Sequence, residues 1–196
     1  MRTFLALLVT LALSAPAADS DPISQSGTTY AYTGPSVDAI WPTIGAVATI
    51  PVYSTVDRRY GVRRVVEQWN QAGYVRLVLT STPCQGCITI RQSSDPAMVT
   101  YAEAGRATLL QAAGVIEHCD IVLNLDHFYP QWATGRRNVL AHELGHCLGL
   151  GHTVRRRTVM GEWMLDTDGP TLRDLMWVCQ VYGGGFTAAR SWSSVH

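Results

Sequence analysis

The sequence predicts an α+β domain, because three helical stretches and about five short strands share the chain and the most regular helix comes late, at 136–150. A length of 196 residues is enough for one domain with a proper core. The strands fall mainly before the late helix and one further helix follows it.

Arg2, the apolar run Phe4 to Leu13 and the small residues Ala15-Pro16-Ala17 read as a secretory signal over 1–17, cut before Ala18. The run is too short to span a bilayer, which takes about 20 residues. Residues 18–44, rich in Ser, Asp, Pro, Gly and Thr toward their start, read as a lead-in or short prosegment. Val47 to Ser54 carries β-branched and aromatic residues and reads as a strand, with Pro51 pointing to an edge or a break. Arg58 to Ala72 has helical period in Val62, Val65, Val66 and Trp69, and Gly73 stops it. Its arginines, Arg58, Arg59, Arg63 and Arg64, read as a solvated face.

Tyr74 to Thr80 alternates as a strand, and Gly86 to Gln92 is another. Thr100 to Ala113 has no clear period, and a short strand is placed at Arg106 to Leu110. Asp120 to Leu125 reads as a buried strand. Arg136 to Leu150 is the late helix, with Val139, Leu140, Leu144 and Leu148 on its inner face. Pro170-Thr171 opens the last helix, which runs to about Tyr182, and residues 186–196 form a tail.

The formal charge is zero, so no field draws the chain to nucleic acid or an anionic membrane. All 15 basic residues are Arg. Five cysteines in an exported chain imply disulfides and one thiol left over. Cys84-Gln85-Gly86-Cys87 lacks the second pair that a zinc ribbon needs, and the strand after it does not suit a redox motif. A Cys147–Cys179 bridge is the first expectation, since it ties the late helix to the C-terminus. Cys84, Cys87 and Cys119 then supply one more bridge and one free thiol.

Ala141 to His152 carries the chemistry and reads H-E-x-x-H-x-x-G-x-x-H. His142 and His146, four residues apart on a helix, present their rings on one face about one turn apart. Gly149 can take the positive φ that ends a helix sharply. The chain then turns back and brings His152 in as a third ligand. Three neutral imidazoles leave one corner of a tetrahedral zinc for water, which is the catalytic arrangement. Glu143, beside the first ligand, is placed to take a proton from that water. Arg155-Arg156-Arg157 after the last ligand reads as a solvated loop, and His118, His127 and His196 as ordinary polar residues.

The long motif resembles that of the metzincin zinc peptidases, and the chain is most similar to the bacterial kind of matrixin. Thr158-Val159-Met160 falls eight residues after His152, where matrixins carry the methionine of their Met-turn; Met164 is the fallback. Pro170 to Gly183 resembles the matrixin C-terminal helix, with its early Asp and closing Tyr-Gly. The resemblance spans 45–185 and is sharpest over 142–160. It implies a zincin fold: a twisted, mostly parallel sheet with two helices in an upper subdomain, the zinc helix, and a small lower subdomain ending in the C-terminal helix. It also implies that Met160 lies beneath the ligands and that Asp174 is buried, accepting hydrogen bonds near the Met-turn.

The chain departs from the family in two respects. No cysteine precedes Cys84 to keep the enzyme latent, and His118 and His127 are too few and too late for the family's structural zinc. One catalytic Zn2+ is therefore expected, and calcium is not assigned. The expectation is a secreted, monomeric zinc endopeptidase acting on protein or peptide substrates, with no nucleic acid and no membrane span after signal removal. The alternatives are a secreted binding protein that uses zinc for shape, against which Glu143 argues, and a zinc hydrolase of non-peptide substrates. Protein digestion with and without chelator separates the first from a peptidase, and a peptide-library digest the second.

Overall fold

Alternating apolar residues build a five-stranded sheet, in the order β2-β1-β3-β5-β4. β1 (Ala48–Ser54), β2 (Val75–Thr80), β3 (Ile88–Ser93) and β5 (Val115–Asn124) run parallel, and β4 (Gly105–Ala112) lies antiparallel on β5 at the edge. The computed structural model describes residues 35–56, 58–100, 103–124, 133–155, 157–161 and 167–183. All of these lie in the compact unit 33–196. The signal expected at 1–17, residues 18–34 of the lead-in and the tail expected at 186–196 lie outside the described residues.

Ile50, Val52, Leu77, Ile88, Ile90, Ile121 and Leu123 form one core with two helices, α1 (Val62–Trp69) and α2 (Ala133–Cys147). Every second strand residue points to the same face, so the period of two in the sequence becomes one continuous apolar surface. The Trp69 indole N–H donates to the Ala141 carbonyl at 3.2 Å, locking α1 to α2. The outer edge of β2 is covered by the Asn70 side chain, which accepts from the Leu77 N–H at 2.7 Å and donates to its carbonyl at 3.0 Å. The third helix, α3 (Leu172–Gly183), buries Trp177, Val178, Val181 and Tyr182.

The architecture matches the expected α+β class and the mostly parallel sheet, with four differences. The helix expected over 58–72 is three pieces, because Gly61 sits at φ +61 and breaks it between a 3-10 turn at Arg58–Tyr60 and α1, and a second 3-10 turn follows at Asn70–Ala72. The strand placed at 106–110 is longer, and β5 starts five residues before the expected Asp120. Ala113 and Gly114, both at positive φ, make the two-residue hairpin turn that joins β4 and β5. Residues 35–44, read as lead-in, are instead fastened to the domain: Ala39 and Trp41 are buried, Val37 bridges Leu150 and Ile40 bridges Val115.

The fourth difference is the disulfide. Cys147 pairs with Cys119, not with Cys179, and Cys84 pairs with Cys87. β5 packs directly under α2, which brings the Cα atoms of Cys119 and Cys147 to 5.6 Å. Cys179 faces another neighbour, its thiol donating to the Ala72 carbonyl at 3.1 Å, and stays free.

The Cys119–Cys147 bridge closes a separation of 28 residues and holds α2 to the sheet. Replacing both cysteines with Ala is expected to cost about 2–4 kcal/mol in chemical denaturation. An unchanged midpoint and slope would show that the packing of α2 does not depend on the bridge.

Candidate metal centre

α2 is buried on nearly all sides, with Val139, Leu140, Ala141, Leu144 and Cys147 in the core. It carries His142 and His146 on one face and then stops. The Leu150 N–H donates to the Gly145 carbonyl at 3.0 Å and the Gly149 N–H to the His146 carbonyl at 2.8 Å. That pair of bonds is a Schellman turn, with Gly149 in the left-handed position at φ +86. A Cβ on Gly149 would also run into the Ala39 carbonyl. Only glycine meets both conditions.

The turn brings three imidazoles together. The Nε2 atoms lie 3.0 Å apart for His142 and His146, 3.1 Å for His142 and His152, and 3.2 Å for His146 and His152. The outer nitrogens have other partners: His142 Nδ1 is 2.6 Å from the Val159 carbonyl, and His146 Nδ1 is 2.7 Å from the Leu150 carbonyl. A carbonyl only accepts, so each of these two rings carries its proton on Nδ1 and turns the Nε2 lone pair inward. Burial lowers the pKa of His142, and with the help of neighbouring His142 lowers that of His146 to about 4, so both rings are neutral at ordinary pH.

Converging lone pairs repel unless a cation lies among them. Zinc binds imidazole nitrogen at about 2.0–2.1 Å, which sets tetrahedral ligands about 3.3 Å apart. The donor type, the tautomers and the spacing therefore fit zinc. Among the described residues this is the one group of His, Cys, Asp and Glu side chains close enough to hold a metal. His118 lies on β5 outside it, and His127 and Met164 lie outside the described residues.

Glu143 is buried next to the first histidine. Burial raises its carboxyl to a pKa of about 8, against the opposing pull of the Ala107 backbone N–H on β4. A Cβ on Gly105 would stand 3.0 Å from the Glu143 Cγ and 3.1 Å from its Oε1, so the bare backbone of β4 leaves room for the acid. Neither neighbour could be read from the sequence, where Thr100 to Ala113 has no clear period.

Met160 is fully buried against α2 where Gly145, lying between the two helical histidines, has no side chain to keep it away. Asp174 is fully buried. Its carboxylate accepts from the N–H groups of Val159, Met160 and Thr171 at 3.0, 3.4 and 2.8 Å, and from the Thr171 hydroxyl at 2.6 Å. Thr171 and Asp174 form a capping box at the start of α3. The same carboxylate holds Val159, whose carbonyl orients His142.

A profile of the matrixin peptidase family matches residues 51–183. No curated protein matches the chain by sequence. Among solved structures, the fold is similar to that of high choriolytic enzyme 1, a hatching-enzyme zinc-protease of the medaka fish Oryzias latipes. That alignment has a TM-score of 0.51 and 10% identity, and covers 74% of this chain and 94% of that one. Archaemetzincin from Methanopyrus kandleri aligns with a TM-score of 0.43 and 16% identity, over 70% of this chain and 97% of that one.

The Glu143 carboxyl binds its proton more tightly in the folded protein, at about 8 against an ordinary 4.5, so stability falls as pH rises between those values. In metal-free protein, thermal melts are expected to show Glu143→Gln gaining on the wild type from about pH 5 to pH 8, with the gap closing below about 4.5. Parallel melting curves across that range would mean that Glu143 is not held in a desolvated site.

Proposed function

The chain belongs to the matrixin family of zinc metallopeptidases, and on that premise we propose that it is a secreted endopeptidase, with His142, His146 and His152 holding one Zn2+ and Glu143 as general base. The observation that carries the reading is the convergence of three Nε2 atoms within 3.2 Å, with a buried carboxyl next to the first ring.

Zinc bound there supplies a Lewis acid and acidifies a water to a pKa of about 7. The residues do the rest. Glu143 takes a proton from the attacking water as the carbon–oxygen bond forms at the scissile carbonyl. It returns that proton to the amine nitrogen as the carbon–nitrogen bond breaks. With zinc held beside it, the Glu143 carboxylate would be favoured over the neutral acid that burial alone favours. The Ala107 N–H and the absence of a side chain at Gly105 keep the carboxylate in place.

The substrate is a protein or peptide in extended form. β4 is the sheet edge on that side, and among the described residues no strand pairs with its outer edge. An extended chain adds there as a further strand along Gly105–Ala112, which lays it across the opening above Glu143. Two disulfides and the leader-like residues 1–17 support export. The enzyme acts as a monomer.

Glu143→Ala is expected to retain one zinc per chain while casein cleavage falls by about 100-fold or more. Chelation of the wild type abolishes cleavage and zinc restores it. Undiminished turnover in Glu143→Ala would remove Glu143 from the mechanism.

A further inference from the structure

A helix leaves its last four carbonyls without partners inside the helix. At the end of α2 those belong to Gly145, His146, Cys147 and Leu148, and the first two are taken by the Schellman turn. The other two are buried, and an unpaired buried carbonyl is costly. The Cys147 carbonyl accepts the Trp41 indole N–H at 2.6 Å. The Leu148 carbonyl accepts the Tyr182 hydroxyl at 3.1 Å, and that hydroxyl in turn accepts the Trp41 backbone N–H at 3.3 Å. Burial raises the Tyr182 pKa far above its ordinary value, so the hydroxyl remains a donor at any working pH.

Trp41 and Tyr182 are 141 residues apart and come from opposite ends of the described chain. They meet on the last turn of the helix that carries His142 and His146, three residues before Gly151. The strand-like run ahead of Trp41 continues the same contact: the Ser36 carbonyl accepts the Gly151 N–H at 2.7 Å, and Val37 bridges Leu150. Every carbonyl from Gly145 to Leu148 is therefore held from outside or by the turn itself. The next residue after Gly151 is His152, which is exposed, and Thr153 beyond it is buried with its N–H on the Met160 carbonyl at 2.9 Å.

We propose that Trp41 and Tyr182 are positioning residues of the metal centre: together they take the two carbonyls that the turn leaves open and so set where His152 points. The proposal rests on the zinc reading above. It makes residues 35–41 part of the working metal site. Without either donor the end of α2 rewinds or frays by a residue, and the third nitrogen leaves the point the other two share. Metal then binds through two rings and solvent, more weakly and in a different geometry.

The test uses the full chain in three variants: Tyr182→Phe, which keeps the ring and loses only the hydroxyl, Trp41→Phe, and His152→Ala as the reference for a lost ligand. Zinc affinity is measured by chelator competition, and the visible spectrum is recorded with cobalt(II) in place of zinc, below the melting temperature of each variant. Tyr182→Phe and Trp41→Phe are expected to weaken zinc about tenfold or more and to shift the cobalt bands toward those of His152→Ala. Wild-type affinity with a wild-type cobalt spectrum in Tyr182→Phe overturns the proposal, whatever its melting temperature; should Trp41→Phe not fold, Tyr182→Phe decides alone. If His152→Ala weakens zinc and Tyr182→Phe does not, the positioning role fails and the zinc reading stands. If His152→Ala also leaves zinc unaffected, the zinc reading itself fails.

Discussion

The centre depends on one backbone turn. α2 must run without a break through His146 so that two rings meet edge to face on one side, then stop within three residues so that a third ring can face them. Gly149 at φ +86 permits the stop, and the Ala39 carbonyl pressed against it excludes any side chain. The disulfide to Cys119 fixes the same turn of helix to the sheet from below. The positions of the three imidazoles are thus set by backbone conformation and packing.

Burying two imidazoles and a carboxyl on an apolar helix is unfavourable unless each polar atom has a partner. The structure supplies them in series. Asp174 accepts from Val159, and the Val159 carbonyl orients His142. The Leu150 carbonyl orients His146 from inside the turn that ends the helix. Glu143 has the Ala107 N–H. Each partner also belongs to a structural element, namely the segment under the helix, the turn or the edge strand, so a shift in any of them reaches His142, His146 or Glu143. Met160 contributes shape alone, filling the space that Gly145 leaves on α2.

What was legible in the sequence was local. The His spacing and the glycine after His146 follow from helix period and chain order, and the places of Met160 and Asp174 from the resemblance to matrixins. Strand β2 announces itself by alternation and β1 by its β-branched and aromatic residues. The β4–β5 hairpin does not: its turn is Ala113-Gly114 without an Asn or Asp, and β4 is too exposed to show a buried face. The pairing of Cys119 with Cys147 depends on which strand runs beneath α2, a fact of topology that spacing does not carry. Residues 35–44 read as lead-in because they follow a stretch from 18 on that is rich in Ser, Asp, Pro, Gly and Thr, yet one indole and a few backbone bonds fasten them to the end of α2 and to β5. The two neighbours of Glu143 were invisible for the same reason as β4.

X-ray absorption at the zinc edge of the loaded protein addresses the central claim most directly. Three imidazole nitrogens and one oxygen at about 2.0–2.1 Å are expected, with the outer-shell scattering of three rings. A sulfur at about 2.3 Å, or a fourth protein nitrogen in place of the oxygen, would contradict an open catalytic corner.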